Sequence, residues 1–75
     1  MLKLNNESFD NVIDNGDSLT FERKGHTKTL FKKKHFQVSI VNDYLNIRLF
    51  DDDCDNNDFT VQTDDSNIQE LILGK

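Results

Sequence analysis

The stretch "KKKHFQVSIVNDYLNIRLFDDD", Lys32 to Asp53, decides how the rest of the chain is read. Phe36, Val38 and Ile40 alternate with polar neighbours, as do Leu45, Ile47 and Leu49, a period of two that places each set on one face of a β-strand. Asn42-Asp43 between them is a two-residue turn tolerant of positive φ. Closing the turn with Val41 opposite Tyr44 sets the register: Ile40 meets Leu45, Val38 meets Ile47 and Phe36 meets Leu49, so every inward position is apolar. A central hairpin over 35–51 is predicted. Extended outward, the register sets Lys34 opposite Asp51, Lys33 opposite Asp52 and Lys32 opposite Asp53, exposed pairs each contributing up to about 1 kcal/mol.

Toward the N-terminus, "SLTFERKGHTKTLF" reads as a second hairpin. Leu19 and Phe21 share a face with Thr27, Thr29 and Phe31 if Arg23-Lys24-Gly25 is a three-residue loop. The opening "LKLNNESFDNVIDNG" has Leu2 and Leu4 in strand alternation, then Phe9, Val12 and Ile13 at helical spacing. Asn5 is placed to cap a helix that Asn15 or Gly16 ends. The rival reading, a hairpin turn at Asn15-Gly16, sets Asp14 opposite Asp17, a like-charge pair, so the short helix is preferred. The segment "LNNESFDNVIDNGDSLTF" resembles the first strand, helix and second strand of thioredoxins over a quarter of the chain. That family's chemistry needs a C-x-x-C pair and a facing proline, and this chain has one cysteine and no proline, so the resemblance is set aside.

Toward the C-terminus, "DFTVQT" places Phe59 and Val61 on one face of a short strand. "DDSNIQELILGK" has Ser66 and Gln69 at capping-box spacing, Ile68, Leu71 and Ile72 as an apolar stripe, and Gly74 where a helix stops. The expected fold class is α+β: a small curled antiparallel sheet of about five strands with a short helix at each end, forming a single domain over 1–75.

At 75 residues there is no room for a deep catalytic cleft. Neither a membrane-length apolar run nor a signal-peptide core is present, and the lone Cys54 forms no internal disulfide, so a cytoplasmic protein is expected. The net charge of −5 conceals segregation. Arg23, Lys24, Lys28, Lys32, Lys33 and Lys34 form a basic arm within 23–35, whereas Phe50 to Glu70 holds eight acids and no base. Such asymmetry implies a bipolar surface or two segments that neutralise one another.

Asp51, Asp53 and Asp55 match the opening of a calcium loop, but its sixth and twelfth positions fall on Asn56 and Gln62 instead of Gly and Glu. Cys54, His26 and His35 have no zinc-like spacing. No metal or cofactor is therefore expected. Nor does any nucleophile-base pattern or glycine-rich phosphate loop point to an enzyme. The leading expectation is a non-enzymatic binding or inhibitor protein. It would dock an acidic face, a partial mimic of nucleic-acid phosphates, on a basic macromolecular partner, as phage-encoded inhibitors of host proteins do by analogy. Its partner-binding candidates are Asp55, Asp58, Asp64, Asp65 and Glu70. Val41, Tyr44 and Phe50, on the outward face of the hairpin, form a candidate apolar patch. A structural or self-assembling β-module, monomer or homodimer, is the first alternative. Nucleic-acid binding by the basic arm, whose lysines interleave with Phe31 and Phe36, is the second.

Overall fold

Two antiparallel sheets share one apolar core in the computed structural model, which describes residues 1–52 and 58–74. In chain order the elements are β1 (Leu2–Leu4), β2 (Glu7–Ser8), β3 (Asn11–Asp14), β4 (Ser18–Arg23), β5 (His26–Phe31), β6 (His35–Val41), β7 (Tyr44–Phe50), β8 (Phe59–Thr63) and α1 (Ser66–Leu73). The larger sheet runs β2-β1-β8-β7-β6 and the smaller β3-β4-β5. Leu2, Leu4, Ile47, Leu49, Phe59 and Val61 from the larger sheet meet Val12, Leu19 and Phe21 from the smaller, and Ile72 of α1 closes one end.

The hairpin of β6 and β7 has the expected register, from Val41 opposite Tyr44 through Phe36 opposite Leu49. It ends at His35 opposite Phe50, so the lysine and aspartate rungs beyond it are not strand pairs. Lys34 instead donates its backbone N–H to Asp51 Oδ1 at 3.0 Å and its Nζ to Asp52 at 3.1 Å. Lys33 Nζ lies 3.5 Å from Asp51, and Lys32 crosses to Asp14 at 2.8 Å. Asp53 is outside the described residues.

The expected N-terminal helix is corrected: the fold is mostly β, and that stretch forms three strands. Asn5 and Asn6 take φ of 50° and 70°, the left-handed turn that short polar side chains tolerate, and fold β1 back on β2. Asn5 is also fastened to β8, donating its N–H to Thr60 O at 2.9 Å and accepting from the Thr60 N–H at 3.0 Å. The chain then changes sheets. Phe9 N–H bonds Leu2 O at 2.9 Å, in the larger sheet, while the next N–H, of Asp10, bonds Glu22 O at 2.7 Å, in the smaller. This crossing breaks the two-residue alternation, so Phe9 and Val12 both face the core although they stand three apart, the spacing that resembles a helix. The like-charge objection to a hairpin also dissolves, because the loop spans four residues and Asp14 pairs with Leu19, not Asp17.

A one-residue difference in the next turn has a larger effect. Arg23 pairs with His26 across Lys24-Gly25, with Gly25 left-handed at φ 75°. Leu19 therefore meets Leu30 and Phe21 meets Lys28, while Thr27, Thr29 and Phe31 turn to the opposite face from the one expected for them. The C-terminal helix forms as read, with Gly74 as its left-handed cap. Its N-cap is Asp65, whose side chain accepts from the Asn67 N–H at 2.9 Å, in place of Ser66. Among the described residues no helix is long and apolar enough to cross a membrane.

Candidate functional site: an open strand edge and an acidic end

The inner face of the larger sheet is continuous in register, with Leu4, Val61, Ile47 and Val38 forming one rung across four strands. Burial along it is not continuous. Ile47 is 0% exposed and Leu49 5%, whereas their partners one strand over, Val38 and Phe36, are 40% and 50% exposed, and Ile40 is 77% exposed. The smaller sheet and α1 cover β1, β8 and β7 and stop short of β6. A row of three large apolar side chains thus stands uncovered on a sheet edge, pointing the way a core would require.

Backbone geometry compounds this exposure. Because a two-residue turn joins Val41 to Tyr44, that pair exchanges both its N–H···O bonds, and so do Ser39 with Asn46 and Gln37 with Arg48. Phe36, Val38 and Ile40 point their N–H and C=O groups the other way, to the edge where no described strand lies. The same three residues carry both the free hydrogen-bonding groups and the uncovered apolar surface.

Other edges are guarded. β2 has two residues, β3 has four and ends in Asp14, and β5 presents His26 and Lys28 on its inner face. Short length and inward-pointing charge both discourage strand pairing. From Phe36 to Val41, β6 has no charge, glycine or proline. The alternation that identified these residues gives their face but not how far the opposing sheet reaches over them. The expected core places of Phe31 and Phe36 are accordingly corrected, since Phe31 is also exposed, on the outer face of the smaller sheet.

On the outer face of the hairpin, Val41 and Tyr44 sit at the turn and Phe50 at the opposite end beside His35. Two polar rungs separate them, Ser39 with Asn46 and Gln37 with Arg48. Arg48 lies over the Phe50 ring at 4.8 Å and donates to Asp58 Oδ2 at 2.9 Å.

The acidic candidates are differently occupied. Asp58 holds Arg48, Asp64 accepts from the Met1 amino group at 2.8 Å, and Asp65 caps α1. The amino group's hydrogen bond holds the Asp64 carboxyl below its ordinary value. Glu70 is exposed on α1, with no ion pair among the described residues. Asp55 lies outside those residues. One grouping that the sequence spacing hid is around Met1, where Asp10 and Asp65 line an open depression of about 310 Å³ with Leu2, Phe9 and Ile68.

The basic arm is matched closely by acids. Glu7 meets Arg23 at 2.8 Å, His26 at 3.4 Å and Lys28 at 4.0 Å. Asp14 takes Lys32, Asp51 takes Lys33, and Asp52 takes Lys34 and His35. Among the described residues no group of three or more His, Cys, Asp or Glu side chains is placed to hold a metal. No family model, curated protein or solved structure matches this chain.

Proposed function

We propose that this chain is a non-enzymatic binding protein that works by strand addition: an extended segment of a partner pairs with the free edge of β6 and covers Phe36, Val38 and Ile40. The supporting observation is the coincidence, on those three residues, of unpaired backbone groups and uncovered inner-face side chains. Main-chain hydrogen bonds supply affinity in this mode of recognition, and alternate side chains supply specificity. Titrating ¹⁵N-labelled protein with a synthetic seven-residue peptide of alternating valine and threonine tests the reading. Amide shifts concentrated at Phe36, Val38 and Ile40 support it, and their absence counts against it.

A second reading keeps the acidic surface as the contact for a basic macromolecule. It is favoured by the position of Asp10 and Asp65 around one depression and by the net charge of −5. Docking of this kind weakens steeply with salt. Retention of a lysine-rich peptide at low salt, reduced by Asp10→Asn and Glu70→Gln, is the expected behaviour; retention unaffected by either change removes this reading.

A further inference from the structure

The occupant of the β6 edge, we infer, is a second copy of this chain, paired antiparallel about a two-fold axis at Val38 so that two five-stranded sheets become one sheet of ten strands. The inference rests on the strand-addition reading above and adds the identity of the partner.

Self-complementarity is the reason for choosing this partner. With Val38 opposite its own copy, Phe36 meets Ile40 of the second chain and Ile40 meets Phe36. All three pairings join residues whose free N–H and C=O groups point at one another, giving about six inter-chain hydrogen bonds. Even-numbered residues of β6 share the inner face, so the apolar strip continues across the axis without a register fault. Opposite cross-strand neighbours stand about 4.5–5.5 Å apart, close enough for these side chains to cover one another.

The facing of the apolar strip, with the residues flanking the strand, chooses the direction. Lys32, Lys33 and Lys34 precede β6, and Asp43 follows it in the turn. The antiparallel arrangement brings the exposed Lys34 side chain, at the start of β6, towards the Asp43 turn of the second copy. A parallel pairing of the same two edges would turn the apolar strips of the two copies to opposite faces of the joint sheet. Pairing β6 with β6 also closes the assembly, because each copy uses the same edge once. The other edges are the two-residue β2, the four-residue β3 and the charged β5, which stops growth at two.

One strand pair buries less than a standard interface, so the dimer forms weakly, with a dissociation constant of roughly 100 μM, and dissociates on dilution. Sedimentation equilibrium of the full chain from about 1 μM to 1 mM should show the mass rising from 8.7 kDa towards 17.4 kDa, twice the chain mass. Val38→Lys places an ammonium on the axis and should raise the dissociation constant at least tenfold while leaving the circular dichroism of the dilute protein unchanged. Asp43→Lys is a second variant in a solvent-facing turn and should weaken the dimer several-fold, an effect that shrinks in high salt. A mass of 8.7 kDa at every concentration, or a dimer indifferent to both substitutions, overturns the inference. In either event the valine-threonine peptide separates the two claims: binding at Phe36, Val38 and Ile40 retains strand addition without the dimer, and no binding removes both. Mass growth beyond two copies overturns the closed two-fold arrangement.

Discussion

Ile40 and Ile47 are the same residue type and sit on the same face of adjacent strands, yet substitution should cost several-fold more at Ile47 than at Ile40. Full burial of an isoleucine side chain contributes about 1.5–3 kcal/mol. Ile47 is 0% exposed, so Ile47→Ala loses that transfer energy and leaves a cavity between the sheets, a combined loss of about 3–4 kcal/mol. Ile40 is 77% exposed and retains about a quarter of its burial, so Ile40→Lys should cost about 0.3–0.7 kcal/mol in the dilute protein. For a domain of this size 1 kcal/mol moves Tm by about 4–8 °C. The two variants should therefore differ by at least about 10 °C in thermal unfolding followed by circular dichroism at about 1 μM, where self-association is absent. If Ile40→Lys lowers stability by more than about 2 kcal/mol at that dilution, Ile40 belongs to the monomer's core and the open-edge account is wrong.

Three further changes test the fold around the edge. Gly25→Ala forces a Cβ into a left-handed turn, φ 75°, with no neighbouring atom in the way, so the loss is conformational and about 1 kcal/mol, read from urea midpoints. Asp65→Ala removes the side-chain cap of α1 and should cost about 1 kcal/mol, whereas Asp65→Ser should recover most of it; equal losses would show that the cap carries no stability. The Lys32 hydrogen bond, and then the Gly16 N–H, hold the Asp14 carboxyl below its ordinary 3.8, and His35, then Lys34, do the same for Asp52. Carboxyls depressed on folding contribute stability that is complete above 3.8 and lost as pH falls through their folded values below it. Urea midpoints should therefore drop below pH 4, and less steeply in Asp14→Asn with Asp52→Asn; identical profiles would show that these contacts do not hold in solution.

The hairpin of β6 and β7 was legible because a two-residue turn and uninterrupted alternation allow one register, and the α1 stop was legible because Gly74 has one use there. What misled at the N-terminus was a change of sheet between Phe9 and Asp10, which gives two core residues a helical spacing through backbone hydrogen bonds that no periodicity encodes. At the β4–β5 turn, a loop of two residues in place of three exchanged the faces of Phe31 and Leu30. The candidate edge was half legible. Alternation identified Phe36, Val38 and Ile40 as apolar and co-facial, but whether they are covered depends on the three-strand width of the opposing sheet, which is a tertiary quantity. The acids Asp58, Asp64 and Asp65 owe their partners to contacts with Arg48, Met1 and the α1 backbone that sequence distance conceals.

Amide hydrogen exchange along β6, measured by NMR at two protein concentrations, tests the open edge and its occupant together. In dilute protein the N–H groups of Phe36, Val38 and Ile40 should exchange rapidly while those of Gln37, Ser39 and Val41, bonded to β7, are protected. Near millimolar concentration the first three should become protected as the second copy adds. Protection of Phe36, Val38 and Ile40 at high dilution would show the edge covered within one chain, and exchange there that ignores concentration would show that no second copy takes it.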